Sequence, residues 1–279
     1  MNKKWRMAAV ILLAAGAILF AGAFAASGYD FSVLDLNSYE TNTYVVEEPF
    51  ENVEISLATE DLTVLPADDG VCRVIVVQRE GKRHTVAVEN GALKIAAEGK
   101  GSLEIQWPFS LRSPSVTVYL PAEECGLWRI ESSTGNVSIP GGFSLQSLSV
   151  TTSTGDVSCG ASVSGTLAVK TSTGNVAFNG ADAGEITVAT STGNVSCGAS
   201  VSGALAVKTS TGNVAFNGAD AGEMTVATST GDVTGTLRSE KVFYVKTSTG
   251  TVNVPDTTGG GACRITTSTG DVLLTITGR

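Results

Sequence analysis

The 279 residues carry 18 Lys and Arg against 27 Asp and Glu, a formal net charge of −9, with one His and five Cys. That balance excludes a binder of phosphate backbones, which needs clustered cations, and no CxxC or Cys/His spacing offers a zinc site. With a single histidine and no Ser or Cys motif beside it, the usual general base is missing as well.

Lys3, Lys4 and Arg6 precede an uncharged run over residues 7–26. A helix of that length, at ~1.5 Å per residue, reaches ~30 Å and matches a bilayer core. Asp30, Asp35 and Glu40 follow it, so the charge asymmetry predicts an N-terminus inside and everything after the run outside. The expected order is a cytoplasmic tail 1–6, a single-pass transmembrane anchor 7–26 and a linker 27–43. The alternative is secretion after cleavage near Ala25, because Ala23-Phe24-Ala25 has the small-x-small pattern of a signal peptide.

Residues 44–125 hold alternating apolar stretches at 74–77, 85–88, 93–96 and 116–120 and predict an irregular β cap. Inside it, Val53, Ile55 and Leu57 lead through Ala58-Thr59-Glu60-Asp61 to Leu62 and Val64. That is the pattern of the repeats described next, with Glu60 in a glycine's place. His84 ends a polar run, 79–83, and is expected in a solvated loop.

From 126 to 279 a phrase Ser-Thr-Gly, then Asn, Asp or Thr, then Val recurs eight times, its glycines at Gly135, Gly155, Gly174, Gly193, Gly212, Gly231, Gly250 and Gly270. Steps of 19 or 20 residues define a repeat architecture. Residues 152–189 return as 190–227 with three changes, Asp156/Asn194, Thr166/Ala204 and Ile186/Met224, so the chain tolerates insertion of two whole units. Seven and five residues before each glycine the chain is apolar, as at Leu167 and Val169, and two residues after it stands Val in all eight copies. Each unit therefore reads as two half-buried strands. The inward positions three before and two after the glycine differ in parity, so the chain turns a corner at the phrase, where glycine can take φ > 0. The remainder, rich in Gly, Ala, Ser and Asp, reads as a loose return. Like columns favour stacking over a hairpin or blade arrangement, and the predicted fold is all-β, a parallel β-solenoid of about eight 19-residue rungs.

The last rung ends at residue 277 with no visible cap, so an open C-terminal edge is expected, with self-association through it. Cys159 and Cys197 share one inward column and read as small core residues; Cys72 and Cys125 could pair. The candidate surface ladder comprises Lys170, Lys208 and Lys246, spaced two rungs or ~9.6 Å apart, and the turn column Asn136, Asp156, Asn175, Asn194, Asn213, Asp232 and Asp271. One carboxamide or carboxylate per turn is a thin calcium site, and no acid pair converges as a glycan-cleaving enzyme would need. No cofactor is expected.

The basic start, the single N-terminal run, Phe50-Glu51-Asn52-Val53-Glu54-Ile55, Val116-Thr117-Val118-Tyr119-Leu120-Pro121 and the STGDV-like rungs together resemble a bacterial family of membrane-anchored β-strand-repeat proteins, a domain of unknown function classed among candidate adhesins. The resemblance covers roughly residues 45–279 and implies no catalytic residues. The functional expectation is a non-enzymatic cell-envelope protein, an adhesin or scaffold working through its repetitive polar face on a cell-wall polymer or host surface. The alternative is a regulatory protein that senses envelope stress and docks a membrane protein.

Overall fold

The computed structural model describes residues 38–98, 113–121 and 125–277, together with Ala15, Gly16, Leu19, Gly22 and Ala25, which are helical. The rest of the expected anchor 7–26 lies outside the described residues, and no described helix is long and apolar enough to cross a membrane.

The N-terminal strands are β1 (Tyr39–Val46), β2 (Asn52–Leu57), β3 (Asp61–Pro66), β4 (Cys72–Arg79), β5 (Arg83–Glu89), β6 (Ala92–Glu98) and β7 (Ser115–Leu120). The phrase-bearing rungs follow as pairs: β8 (Cys125–Thr134) with β9 (Val137–Ile139), β10 (Ser144–Thr154) with β11 (Val157–Cys159), β12 (Ser162–Thr173) with β13 (Val176–Phe178), and β14 (Asp182–Ala189) with β15 (Val195–Cys197). Next come β16 (Ser200–Lys208), the long β17 (Val214–Ala227), β18 (Val233–Leu237), β19 (Lys241–Lys246), β20 (Val252–Asn253), β21 (Gly261–Thr266) and β22 (Val272–Ile276). The first member of each rung joins one parallel sheet and the second joins another, with β17 passing from one to the other.

Registers confirm the columns. Leu148 lies beside Leu167, which lies beside Ile186, then Leu205 and Met224; Val137, Val157, Val176, Val195, Val214 and Val233 form the matching ladder across the corner. All of these are buried, at about 1.5–3 kcal/mol of transfer free energy for each large side chain. Phe178 and Phe216 alternate with Cys159 and Cys197 in one inward column. The return segments compensate, placing Ala183 and Ala221 in the column where the neighbouring rungs place Val163 and Val201. Large and small side chains are thereby balanced within each rung, and the pattern alternates from one rung to the next.

Three features differ from the sequence expectation. Region 44–125 is more regular than an irregular cap. β2/β3 is a full rung in register with β8/β9, Ile55 beside Ile130 and Leu62 beside Val137, and β6/β7 forms a further parallel rung outside it. Among the described strands the antiparallel pairings are β1 with β4, β4 with β7 and β5 with β6, and they close that end. His84 is in strand β5 and 6% exposed, not solvated. The return is not a loose loop either, since Ser144 and Leu145 pair with Ser162 and Val163, then Ala183, Val201 and Ala221, before a register shift in each rung turns the chain into the main strand. Small side chains let this segment lie flat against its neighbours, which is why it reads as loop composition.

The third difference lies at the C-terminal end. The last rung in sequence is not the last in space: β21 pairs with β17 on one side and β19 on the other, and β22 lies between β18 and β20. The expected open edge at residues 272–277 is thus covered, and β19/β20 forms the outer edge. The chain crosses over at Gly259-Gly260-Gly261. A Cβ on Gly260 would stand 1.8 Å from the Glu240 carbonyl, and one on Gly261 would stand 1.6 Å from that of Gly222, so only glycine permits the crossing.

Candidate functional site

The eight phrase glycines have φ between +141° and +158°, and an added Cβ at Gly193 would fall 1.9 Å from the Gly174 carbonyl oxygen of the rung below. They form a structural column in which backbone approaches backbone. Beside them the inward threonines donate to glycine carbonyls, Thr190 to Gly174 at 3.4 Å and Thr209 to Gly193 at 3.3 Å.

The turn column is a ladder rather than a row of free ligands. The backbone N–H of Asp156 donates to Asn136 Oδ1 at 2.9 Å, that of Asn175 to Asp156 at 2.7 Å, that of Asn194 to Asn175 at 2.9 Å and that of Asn213 to Asn194 at 2.8 Å. Asp232, Asp271 and Thr251 continue it at 2.8, 2.8 and 2.6 Å, and Asp61 starts it by accepting from Asn136 at 2.7 Å. Each side chain satisfies an amide that the corner leaves without a strand partner. Thr251 occupies the outermost rung, where no further rung needs an acceptor.

Lys170, Lys208 and Lys246 are exposed, but they are not evenly spaced. Ala189 alone separates Lys170 from Lys208, whereas Ala227 and Thr266 both intervene before Lys246. The crossover puts that last step at three rungs, ~14 Å, so this column is not a regular charge ladder. Cys159 and Cys197 are fully buried, as expected of core residues, and burial pushes the Cys159 thiol up to about 11. The Cys125 side chain lies outside the described residues, and the pairing with Cys72 with it.

A concave surface lies on the return side, away from both predicted columns. A groove of ≈ 1000 Å³ runs along the stack from Ser144 to Gly261. In rung order it is lined by Ser144, Ser162, Asp182, Ser200 and Asp220 and, two residues on, by Ser164, Gly184, Ser202 and Gly222, while Leu145, Val163, Ala183, Val201 and Ala221 between them are buried in the core. The register shift that bends each long strand makes this side concave. At the crossover, Lys241 is 3% exposed and its Nζ donates to Asp220 Oδ1 at 2.8 Å and to Ser239 Oγ. Burial would raise the Asp220 carboxyl, but the hydrogen bonds from Lys241 and Ser239 outweigh it and hold the group below its usual range. Arg238 reaches across to Ser200 Oγ at 2.6 Å. Hydroxyls, carboxylates and backbone amides spaced one rung apart can hydrogen-bond an extended polar chain lying along the stack axis. Sequence reasoning missed this surface because its residues resemble linker composition; the signal was the serine or aspartate preceding an apolar residue in five successive returns, at 144, 162, 182, 200 and 220.

The sequence model of the Toastrack DUF4097 family matches residues 50–234 and again residues 162–279. No curated protein matches the chain. Among solved structures, a candidate adhesin from Bacteroides fragilis shares 12% identity over 85% of this chain and 97% of its own, with a TM-score of 0.45. A candidate lipid-binding protein from Parabacteroides distasonis shares 13% identity over 85% and 97%, with a TM-score of 0.50, and a candidate adhesin from the same species shares 13% over 86% and 98%, with a TM-score of 0.42. Identities this low speak to the fold alone. The two family matches together run from residue 50 to the C-terminus, and the chain belongs to the Toastrack DUF4097 family.

Proposed function

We propose that this chain is a non-enzymatic cell-envelope protein that acts as an adhesin or scaffold through its solenoid surface, held to the membrane by residues 7–26 with the solenoid outside. The observation that carries the reading is the return-side groove, which presents a hydroxyl or a carboxylate at the same position of successive rungs. A surface built that way offers the same contacts at each step, and its natural occupant is a polyhydroxylated polymer of the wall or of a host surface. Binding spread over rungs weakens by degrees as rungs are removed. Deleting residues 190–227 removes Ser200 and Asp220 with two rungs, so affinity for immobilised wall or host glycan should drop without vanishing. An unchanged affinity would sink the mechanism.

A second reading, a regulatory protein that docks a membrane partner, draws on the outer edge. Among the described residues β19 pairs with β21 alone, and Tyr244 on β19 is 57% exposed. Self-association, if it uses the C-terminal end, would use this strand in place of residues 272–277. Removing two central rungs would leave that docking unchanged, which separates the two readings.

A further inference from the structure

The N-terminal end of the stack buries the chain's single histidine in a chain of polar groups drawn from four elements. His84 on β5 is 6% exposed, Gln78 on β4 is 2% exposed, and Glu60 at the β2–β3 corner is 7% exposed; Glu40 joins them from β1. Gln78 Nε2 donates to the Lys82 carbonyl at 2.6 Å and to Glu40 Oε1 at 2.6 Å. A carbonyl only accepts, so the amide is oriented, and its Oε1 is the atom that faces His84 Nδ1 at 2.6 Å. An amide oxygen has no proton to give, so Nδ1 carries one.

The opposite ring nitrogen meets a carboxylate. His84 Nε2 lies 3.4 Å from Glu60 Oε1, an ion-pair distance, and among the described residues it makes no hydrogen bond. Glu60 Oε2 accepts from the amides of Ala58 and Thr59, both at 2.8 Å. Burial would raise this carboxyl, but His84 and the two amides hold it at about 2, so it brings no proton at neutral pH. With a neutral ring, two lone pairs would face each other in a site sealed from water, an arrangement that leaves both groups unsatisfied. With a proton on Nε2 the contact becomes a charge-assisted pair.

We propose that the N-terminal cap is a proton-binding site: His84 is held there as an imidazolium between Gln78 and Glu60, and loss of its proton releases β5 from the end of the stack. Among the described residues β5 pairs with β6 alone, and Val86 and Val88 on its inner side pack on the core. The other neighbours act on backbone or away from the ring. Tyr44 of β1 donates to the His84 carbonyl at 3.4 Å, and Thr85 turns to Glu98 of β6 at 2.6 Å. The sign follows from the proton inventory. The pair is complete above the titration of Glu60 at about 2, and its contribution is lost as pH rises and Nε2 is deprotonated. Acid keeps the end of the stack closed, and rising pH frees an edge strand and uncovers apolar side chains.

Because the chain has one histidine, a long-range 1H–15N spectrum of the full-length protein in detergent micelles reads His84 without assignment. The expected result is both ring nitrogens protonated at neutral pH. As the pH is raised and the ring loses its proton, amide exchange in β5, corrected for base catalysis, should accelerate about tenfold or more as the buried His84–Glu60 ion pair is lost. Glu60→Gln should give a neutral ring at neutral pH and flatten the pH step. A neutral ring in the wild-type protein overturns the proton assignment. A protonated ring with β5 exchange unchanged across its titration overturns the release, as does a pH step that survives His84→Gln. Should either variant fail to fold, the wild-type spectrum and exchange profile still decide.

Discussion

Replacing Gly193 with alanine tests how the rungs are held at their corner. The new Cβ would lie 1.9 Å from the Gly174 carbonyl oxygen and 2.6 Å from its carbon, and that carbonyl cannot swing away without losing the hydroxyl of Thr190. The backbone also sits at φ +157°. Overpacking costs about 1–3 kcal/mol and the unfavourable φ about 1–2 kcal/mol more, for a total of about 2–5 kcal/mol. Two other glycines separate the terms. Gly180 has φ +74° and open space for a Cβ, so Gly180→Ala should cost only the backbone share, about 1 kcal/mol. Gly141 has neither a positive φ nor a contact nearer than 3.5 Å, so Gly141→Ala should be neutral or slightly stabilising through the unfolded chain. Urea unfolding of the three variants should rank them Gly193, Gly180, Gly141. A Gly193→Ala variant as stable as Gly141→Ala would refute the close-approach argument for the whole column.

Asn194→Ala removes the acceptor for the Asn213 amide and should cost about 1 kcal/mol, with faster hydrogen exchange at Asn213; Thr251→Ala, at the end of the ladder, should stay within about 0.5 kcal/mol. Asp220→Ala should destabilise more than Lys241→Met, because the first strands a buried ammonium while the second leaves a carboxylate that is 35% exposed to water; equal melting shifts would count against the pair. Since Asp220 titrates below its usual range, its contribution is present above the ordinary carboxylate range and lost as pH falls through it. Asp220→Asn should therefore flatten the acid limb of the stability profile. Deleting 190–227 joins equivalent positions of two rungs and should yield a folded rod shorter by ~9.6 Å, measurable by X-ray scattering.

The repeat was legible because side chains in a stacked rung obey one column rule. Leu167, Val169, Thr171 and Val176 could be assigned inward by parity alone, and burial bears this out. What parity cannot reveal is the order in which rungs stack. Rungs β19/β20 and β21/β22 look alike in sequence, and each could lie against β17/β18. The deciding signals are local departures: Thr251 where the ladder no longer needs an Asn or Asp, and the glycine triplet at 259–261 where one strand crosses another. His84 was misjudged because the polar run before it resembles a loop, while Glu60, the carboxylate it faces, lies 24 residues earlier, and Glu40, which holds its partner Gln78, lies 44 residues earlier. The groove was hidden in the same way, its serines and aspartates spread one per rung.

The central functional claim is that the solenoid faces outward from the membrane, and an epitope tag placed after Arg279 tests it most directly. In intact cells with the wall permeabilised, external protease should remove a cell-bound tag while a cytosolic control survives. A tag that stays protected together with that control would place the rungs inside the cell and contradict the adhesin account.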